Sequence, residues 1–140
     1  MTAGYSGTPL TKKLGIKEDF RVALVGAPDG FREELIGLPA GVTFVTSVAA
    51  QLDVILFFVK SQSEMISNFP RLSAKLRPAG MLWIAWPKKA SGVATDLSDS
   101  SVRRIGLDCG LVDVKVCAVN EIWSGLKFVI RVKDRPGVSR

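Results

Sequence analysis

Trp86-Pro87-Lys88-Lys89 closes an apolar run that begins at Gly80, and it sets an indole beside two ammonium groups. The proline ends the run, so neither lysine is carried into a core. Two such charges next to aromatic rings suit an anion. In that reading Lys88 and Lys89 hold a phosphate or carboxylate while Trp86 and Trp123 cover a flat ring, with the Ser124 hydroxyl alongside. A solvated pair of loop lysines is the competing reading of the same residues. Upstream, Gly26-Ala27-Pro28-Asp29-Gly30 stands where nucleotide-binding folds set a glycine-rich turn against a phosphate or adenosine. The spacing is not G-x-G-x-x-G, and Pro28 removes one backbone donor. Gly26 and Gly30 therefore favour a tight strand-to-helix turn, with the phosphate or adenosine contact as the alternative. No acidic residue ends the next apolar stretch, Thr43-Phe44-Val45-Thr46-Ser47, where a ribose diol usually meets a carboxylate.

Histidine is absent, which excludes a Ser–His or Cys–His dyad and any histidine-bearing zinc site. Cys109 and Cys117 are too few for a four-cysteine site and read as reduced structural thiols. Acid–base chemistry is left to Asp, Glu, Lys and Tyr5. A Schiff-base lysine needs desolvation, which adjacent like charges in a loop do not supply. No catalytic residue is assigned, and no cofactor is named by these residues.

Positioning such groups takes a sheet. At 140 residues and 47% apolar composition the chain suits one domain, 1–140, with 1–7 and 134–140 as flexible ends. No apolar run approaches the ~20 residues of a membrane span, and Met1-Thr2-Ala3-Gly4 lacks the order of a signal peptide, so a cytoplasmic protein is expected. Much of the net charge of +6 sits in the tail, where Lys127, Arg131, Lys133, Arg135 and Arg140 face one acid, Asp134. A basic end on a nearly neutral body is usually solvated, so nucleic acid is not the expected partner.

Along the chain, Thr8 as N-cap, Pro9 at the first helical position and Gly15 as the stop mark a short helix. Arg21–Val25 reads as a strand, Phe31–Ile36 as a helix and Thr43–Val45 as a short strand. Asp53–Val59 is apolar nearly throughout and suits a strand covered on both faces. Ser61 caps a helix to about Leu76, with Met65, Ile66, Phe69, Leu72 and Leu76 at helical spacing and Pro70 as a kink or break. The Gly80 strand follows, then a helix over Asp96–Ile105 capped by Asp96 or Thr95. Leu111–Val119 and Trp123–Val132 are separated by three residues and pair as an antiparallel hairpin.

Strands alternating with helices before a closing hairpin predict an α/β fold, three-layered and Rossmann-like, with a mostly parallel sheet. The order of elements resembles a compact class I methyltransferase, in which the last strand slots in antiparallel beside the third-to-last. That arrangement gathers the Gly26–Gly30 loop, Trp86–Lys89, Asn120–Ser124 and the helix start at Thr8 at the carboxyl edge of the sheet. Tyr5 and Ser6 are candidates for a lid over it. Gly4-Tyr5-Ser6-Gly7-Thr8-Pro9-Leu10, Lys12-Lys13-Leu14-Gly15-Ile16 and Leu82-Trp83-Ile84-Ala85-Trp86-Pro87-Lys88-Lys89 also resemble an uncharacterised bacterial family, domain of unknown function 3052. That resemblance extends through Gly110-Leu111-Val112-Asp113 and Trp123-Ser124-Gly125-Leu126, and it implies a fold without a mechanism.

Three functions stay open on these residues. The leading one is a small Rossmann-like binding protein for an anionic, nucleotide-like or phosphorylated ligand at Lys88, Lys89, Trp86, Trp123, Ser124, Gly26 and Gly30. The second is a reduced S-adenosylmethionine-dependent methyltransferase-like enzyme. The third is a module that docks a protein or nucleic acid through its apolar edge or basic tail.

Overall fold

The computed structural model describes residues 9–45 and 51–135. The expected cap at Thr8, the lid residues Tyr5 and Ser6, and most of both chain ends lie outside them. Helix α1 (Leu10–Lys13) follows Pro9, which takes the N-cap position itself, and Gly15 stops it at φ +81°. Strands β1 (Arg21–Val25), β2 (Thr43–Val45), β3 (Leu52–Phe58), β4 (Leu76–Pro87), β5 (Leu111–Ala118) and β6 (Trp123–Ile130) form one sheet in the order β2-β1-β3-β4-β6-β5. The pairs β1–β2, β1–β3 and β3–β4 are parallel. Strand β6 runs antiparallel between β4 and β5, the reversed insertion expected of the closing hairpin.

Alternation along the strands builds a core on each face. On one face, helices α2 (Gln62–Ser73) and α3 (Asp99–Asp108) lay Met65, Phe69, Leu72, Val102 and Ile105 over Ile55, Leu82, Ile84 and Phe128. Phe69 meets Phe128 edge-on, with ring centroids 5.4 Å apart. Gly106 lets α3 come this close, because a Cβ there would sit 2.0 Å from the Phe128 ring. The other face has a thinner cover of α1 and loops, with Leu14, Ile16, Phe31 and Leu35 packed on Val22, Leu56 and Trp83. The Trp83 indole donates to the Leu14 carbonyl at 3.0 Å, satisfying its buried N–H and tying α1 to the sheet centre.

Local details depart from the sequence reading for identifiable reasons. Phe31–Ile36 is not an α-helix; Arg32–Glu34 makes one 3-10 turn, confined by Gly30 and Gly37 at positive φ. Ser61 does cap α2, accepting from the Glu64 amide at 3.1 Å, but the helix ends at Ser73 and Leu76 opens β4. Ile66, expected in the core, points outward and is 52% exposed. Pro70 neither splits nor ends α2. The carbonyl it leaves without a donor is that of Ile66, on the outer side, where water reaches it. Helix α3 starts later than expected, because Ser98 rather than Asp96 or Thr95 is its N-cap, in a capping box with Ser101. Asp96 caps the other helix: its Oδ1 accepts from the Gln62 amide at 2.8 Å. The Thr95 hydroxyl donates to the Lys60 carbonyl at 2.6 Å, so the loop after β4 clamps the turn after β3. At the far end, Val132–Asp134 forms a 3-10 turn, and β6 stops at Ile130 rather than Val132.

Candidate functional site

Two of the cavities at the carboxyl edge take in residues singled out from the sequence, and the pleat of the sheet decides which residues each receives. In the β4–β6 ladder Trp86 stands opposite Ser124, and Pro87 opposite Trp123. Successive residues point to opposite faces, so Trp86 and Ser124 share the face of α2 and α3 while Trp123 goes to the other. The two indoles therefore do not cover one ring, contrary to the expectation from sequence.

The larger cavity, about 580 Å³, lies on the α3 face and is lined by Trp86, Lys88, Lys89, Thr95, Ser98 and Ser124 among others. Lys88 is held by its backbone: its amide donates to the Ile122 carbonyl at 2.7 Å, and its carbonyl accepts from the Ser91 hydroxyl at 2.7 Å. Gly92 turns the loop back at φ +78°. The side chain of Lys88 is half-buried, and that of Lys89 is exposed. Trp86 is nearly all in the core and presents only an edge, 5% exposed. One carboxylate, Asp99, also lines this cavity, and it is engaged by Arg103, which binds Asp113 at 2.8 Å as well.

The smaller cavity, about 290 Å³, is lined by Gly26, Pro28, Phe58, Val59, Lys60, Glu64 and Trp123. Gly26 ends β1 at φ +70°, and a Cβ there would sit 2.9 Å from the Phe58 carbonyl oxygen, so the turn requires glycine. Phe58 lies between Phe31 and Trp123, edge-on to both at 4.8 and 5.0 Å. Gly30 lines neither cavity and serves the turn, with φ +81° and open space beyond it. Lys60 and Glu64 were not singled out from sequence. Lys60 follows a β-strand just as Lys88 does, and that parallel was the available signal. Among the described residues no three His, Cys, Asp or Glu side chains cluster to hold a metal ion, and no helix is long and apolar enough to cross a membrane.

The fold is shared with solved methyltransferases. A SAM-dependent methyltransferase from Aquifex aeolicus superposes with a TM-score of 0.61 at 17% identity, over 85% of this chain and 86% of that one. The fold is methyltransferase-like. Magnesium protoporphyrin IX methyltransferase from Synechocystis, with bound SAM, gives 0.55 at 12% identity over 86% of this chain and 74% of its own. The fibrillarin pre-rRNA processing protein of Methanococcus jannaschii gives 0.56 at 11%, over 88% and 69%. At such identities the likeness is one of fold. No family model and no curated protein matches the chain, so the resemblance to domain of unknown function 3052 rests on its quoted motifs. Within the methyltransferase-like fold, the smaller cavity sits where the order β2-β1-β3 reverses direction, between the ends of β1 and β3.

Proposed function

We propose that this chain is a reduced S-adenosylmethionine-dependent methyltransferase-like protein that takes an adenosyl cofactor in the smaller cavity. One observation carries the reading: Gly26, Phe58, Lys60 and Glu64 meet at the switch point between β1 and β3, where open α/β sheets bind their ligands. The likeness of fold to SAM-dependent enzymes supports it. The donors present suit such a molecule. Glu64 stands in for the carboxylate that β2 lacks and meets a pair of hydroxyls, while the Lys60 ammonium meets a carboxylate. Phe58 and Trp123 form the apolar wall that keeps water from the reacting centre. The bound cofactor supplies an electrophilic methyl group. Transfer to a good nucleophile needs orientation more than acid–base help, so the absence of histidine is no obstacle. The volume of about 290 Å³ stands just below the roughly 300–1,000 Å³ of small-ligand sites.

Calorimetry with S-adenosylhomocysteine tests the reading. Saturable binding is expected, weakened about tenfold or more in Glu64→Gln, since a hydrogen bond to a charged group contributes about 1.5–3 kcal/mol. No binding at millimolar concentration overturns it.

A second reading is favoured by the larger cavity, where Trp86, Lys88, Lys89 and Ser124 do converge. In this reading the chain binds a small anionic or phosphorylated ligand there without methyl transfer. Thermal stabilisation by sugar phosphates or nucleotides, lost in the Lys88→Gln, Lys89→Gln double variant and unaccompanied by S-adenosylhomocysteine binding, would select it.

A further inference from the structure

The β5–β6 hairpin carries a feature that neither cavity uses. Its register shifts between Asp113 and Lys115, a bulge that leaves Val114 unpaired and half-exposed. Beyond the bulge Lys115 stands directly opposite Lys127 on antiparallel strands. In an unbroken register Val114 would face Lys127, and Lys115 would turn to the other side. Bulges re-aim side chains in this way. Here the result is two like charges as cross-strand neighbours, an arrangement that ordinarily destabilises a sheet.

The surroundings do not neutralise them. Lys127 is half-buried, with Nζ 5.9 Å from the ring centroid of the buried Trp83. Burial and the Lys115 charge both lower its pKa, and no carboxylate acts on it. Lys13, at the end of α1, joins the group: it precedes Leu14, whose carbonyl accepts from the Trp83 indole over which Lys127 lies. Among the described residues none of the three lysines is in a salt bridge. The Arg103–Asp113 pair faces α3, on the opposite side of the sheet, and does not offset them. A bulge, a half-buried cation and a third lysine from another element thus concentrate positive charge that the Trp83 ring offsets in part and no salt bridge among the described residues does.

We propose that Lys13, Lys115 and Lys127 form a phosphate-binding site on the α1 face of the hairpin. Each ammonium offers three donors, and a phosphate group offers three acceptor oxygens and up to two negative charges. The anion relieves the repulsion between Lys115 and Lys127. This site lies on the other face of the sheet from Lys88 and Lys89, and it does not depend on the function proposed above.

The test is thermal unfolding of the full chain in pyrophosphate against chloride at matched ionic strength. Wild type, Lys115→Gln, Lys127→Met and the exposed control Lys17→Gln are compared. Pyrophosphate is expected to raise the midpoint of wild type and Lys17→Gln by several degrees. In chloride, Lys115→Gln and Lys127→Met should melt at or above wild type, because repulsion is removed, and neither should respond to pyrophosphate. If Lys127→Met fails to fold, the exposed Lys115→Gln still decides. A fluorescent duplex oligonucleotide distinguishes the phosphate's source. Binding that Lys115→Gln loses assigns the site to a nucleic-acid backbone, and a pyrophosphate response without duplex binding assigns it to a small phosphorylated ligand. An undiminished pyrophosphate response in both lysine variants, or no response to either probe in wild type, overturns the proposal.

Discussion

Two glycines show how single positions hold the molecule together. Gly26 combines a left-handed backbone with a 2.9 Å approach to the Phe58 carbonyl that no side chain tolerates. Gly26→Ala is expected to cost about 1–3 kcal/mol, read as a lowered urea midpoint, and to weaken any ligand held in the cavity it lines. Gly106 is different: its φ is ordinary, and only the Phe128 ring forbids a Cβ. Gly106→Ala should therefore destabilise by overpacking, about 1–3 kcal/mol, and Gly106→Ala combined with Phe128→Leu should recover part of that loss. Sequence alone marks Gly26 as a turn glycine because it follows a strand. Gly106 lies inside a helix, and its reason for being glycine is visible only across the interface.

Among the elements, the loop between β4 and α3 does more than connect them. Asp96 satisfies the first amide of α2, and Thr95 holds the Lys60 carbonyl, so this segment fixes the approach to both cavities. Asp96→Ala should cost about 1 kcal/mol, as loss of an N-cap does, with Asp96→Asn retaining most of it in chemical denaturation. The capping partner lies 34 residues away in sequence. A local reading of Asp96 finds only the helix that follows it, and for that reason mistakes its role. On α3, Arg103 links Asp99 to Asp113 of β5, and its guanidinium holds the Asp113 carboxyl below the usual carboxylate range. A carboxylate depressed in the folded state adds stability that is complete above its unfolded pKa, about 3.9, and is lost as pH falls through the folded value. Arg103→Gln should therefore lower stability slightly at neutral pH, where the contribution is complete, and converge with wild type below about pH 4, the difference being small because both groups are partly exposed.

For the molecule as a whole, β6 is the strand on which closure depends. It pairs with β4 on one side and β5 on the other, and it brings Leu126 and Phe128 into the core. A chain ended at Val119 keeps β5 but loses its partner and exposes the flank of β4. It is expected to show no cooperative thermal transition by circular dichroism, whereas ending the chain at Arg135 should preserve one.

Much of this fold follows from the order of residues. Apolar runs at Arg21–Val25, Thr43–Val45 and around Gly80 place strands where the structure has them, and the Gly80 run is continuous because its strand is buried on both faces. The three-residue gap before Trp123 leaves room for an antiparallel turn and nothing longer. Charge and composition also exclude the chemistries that need histidine. Tertiary structure alone decided how the candidate residues are shared out. Trp86 and Trp123 lie near one edge, yet the pleat sends them to opposite faces and divides one expected site into two cavities. Likewise, a single bulged residue sets Lys115 opposite Lys127. The physical reason is the same in both cases. A two-residue period makes the facing of a side chain depend on register, and register is settled by partners distant in sequence.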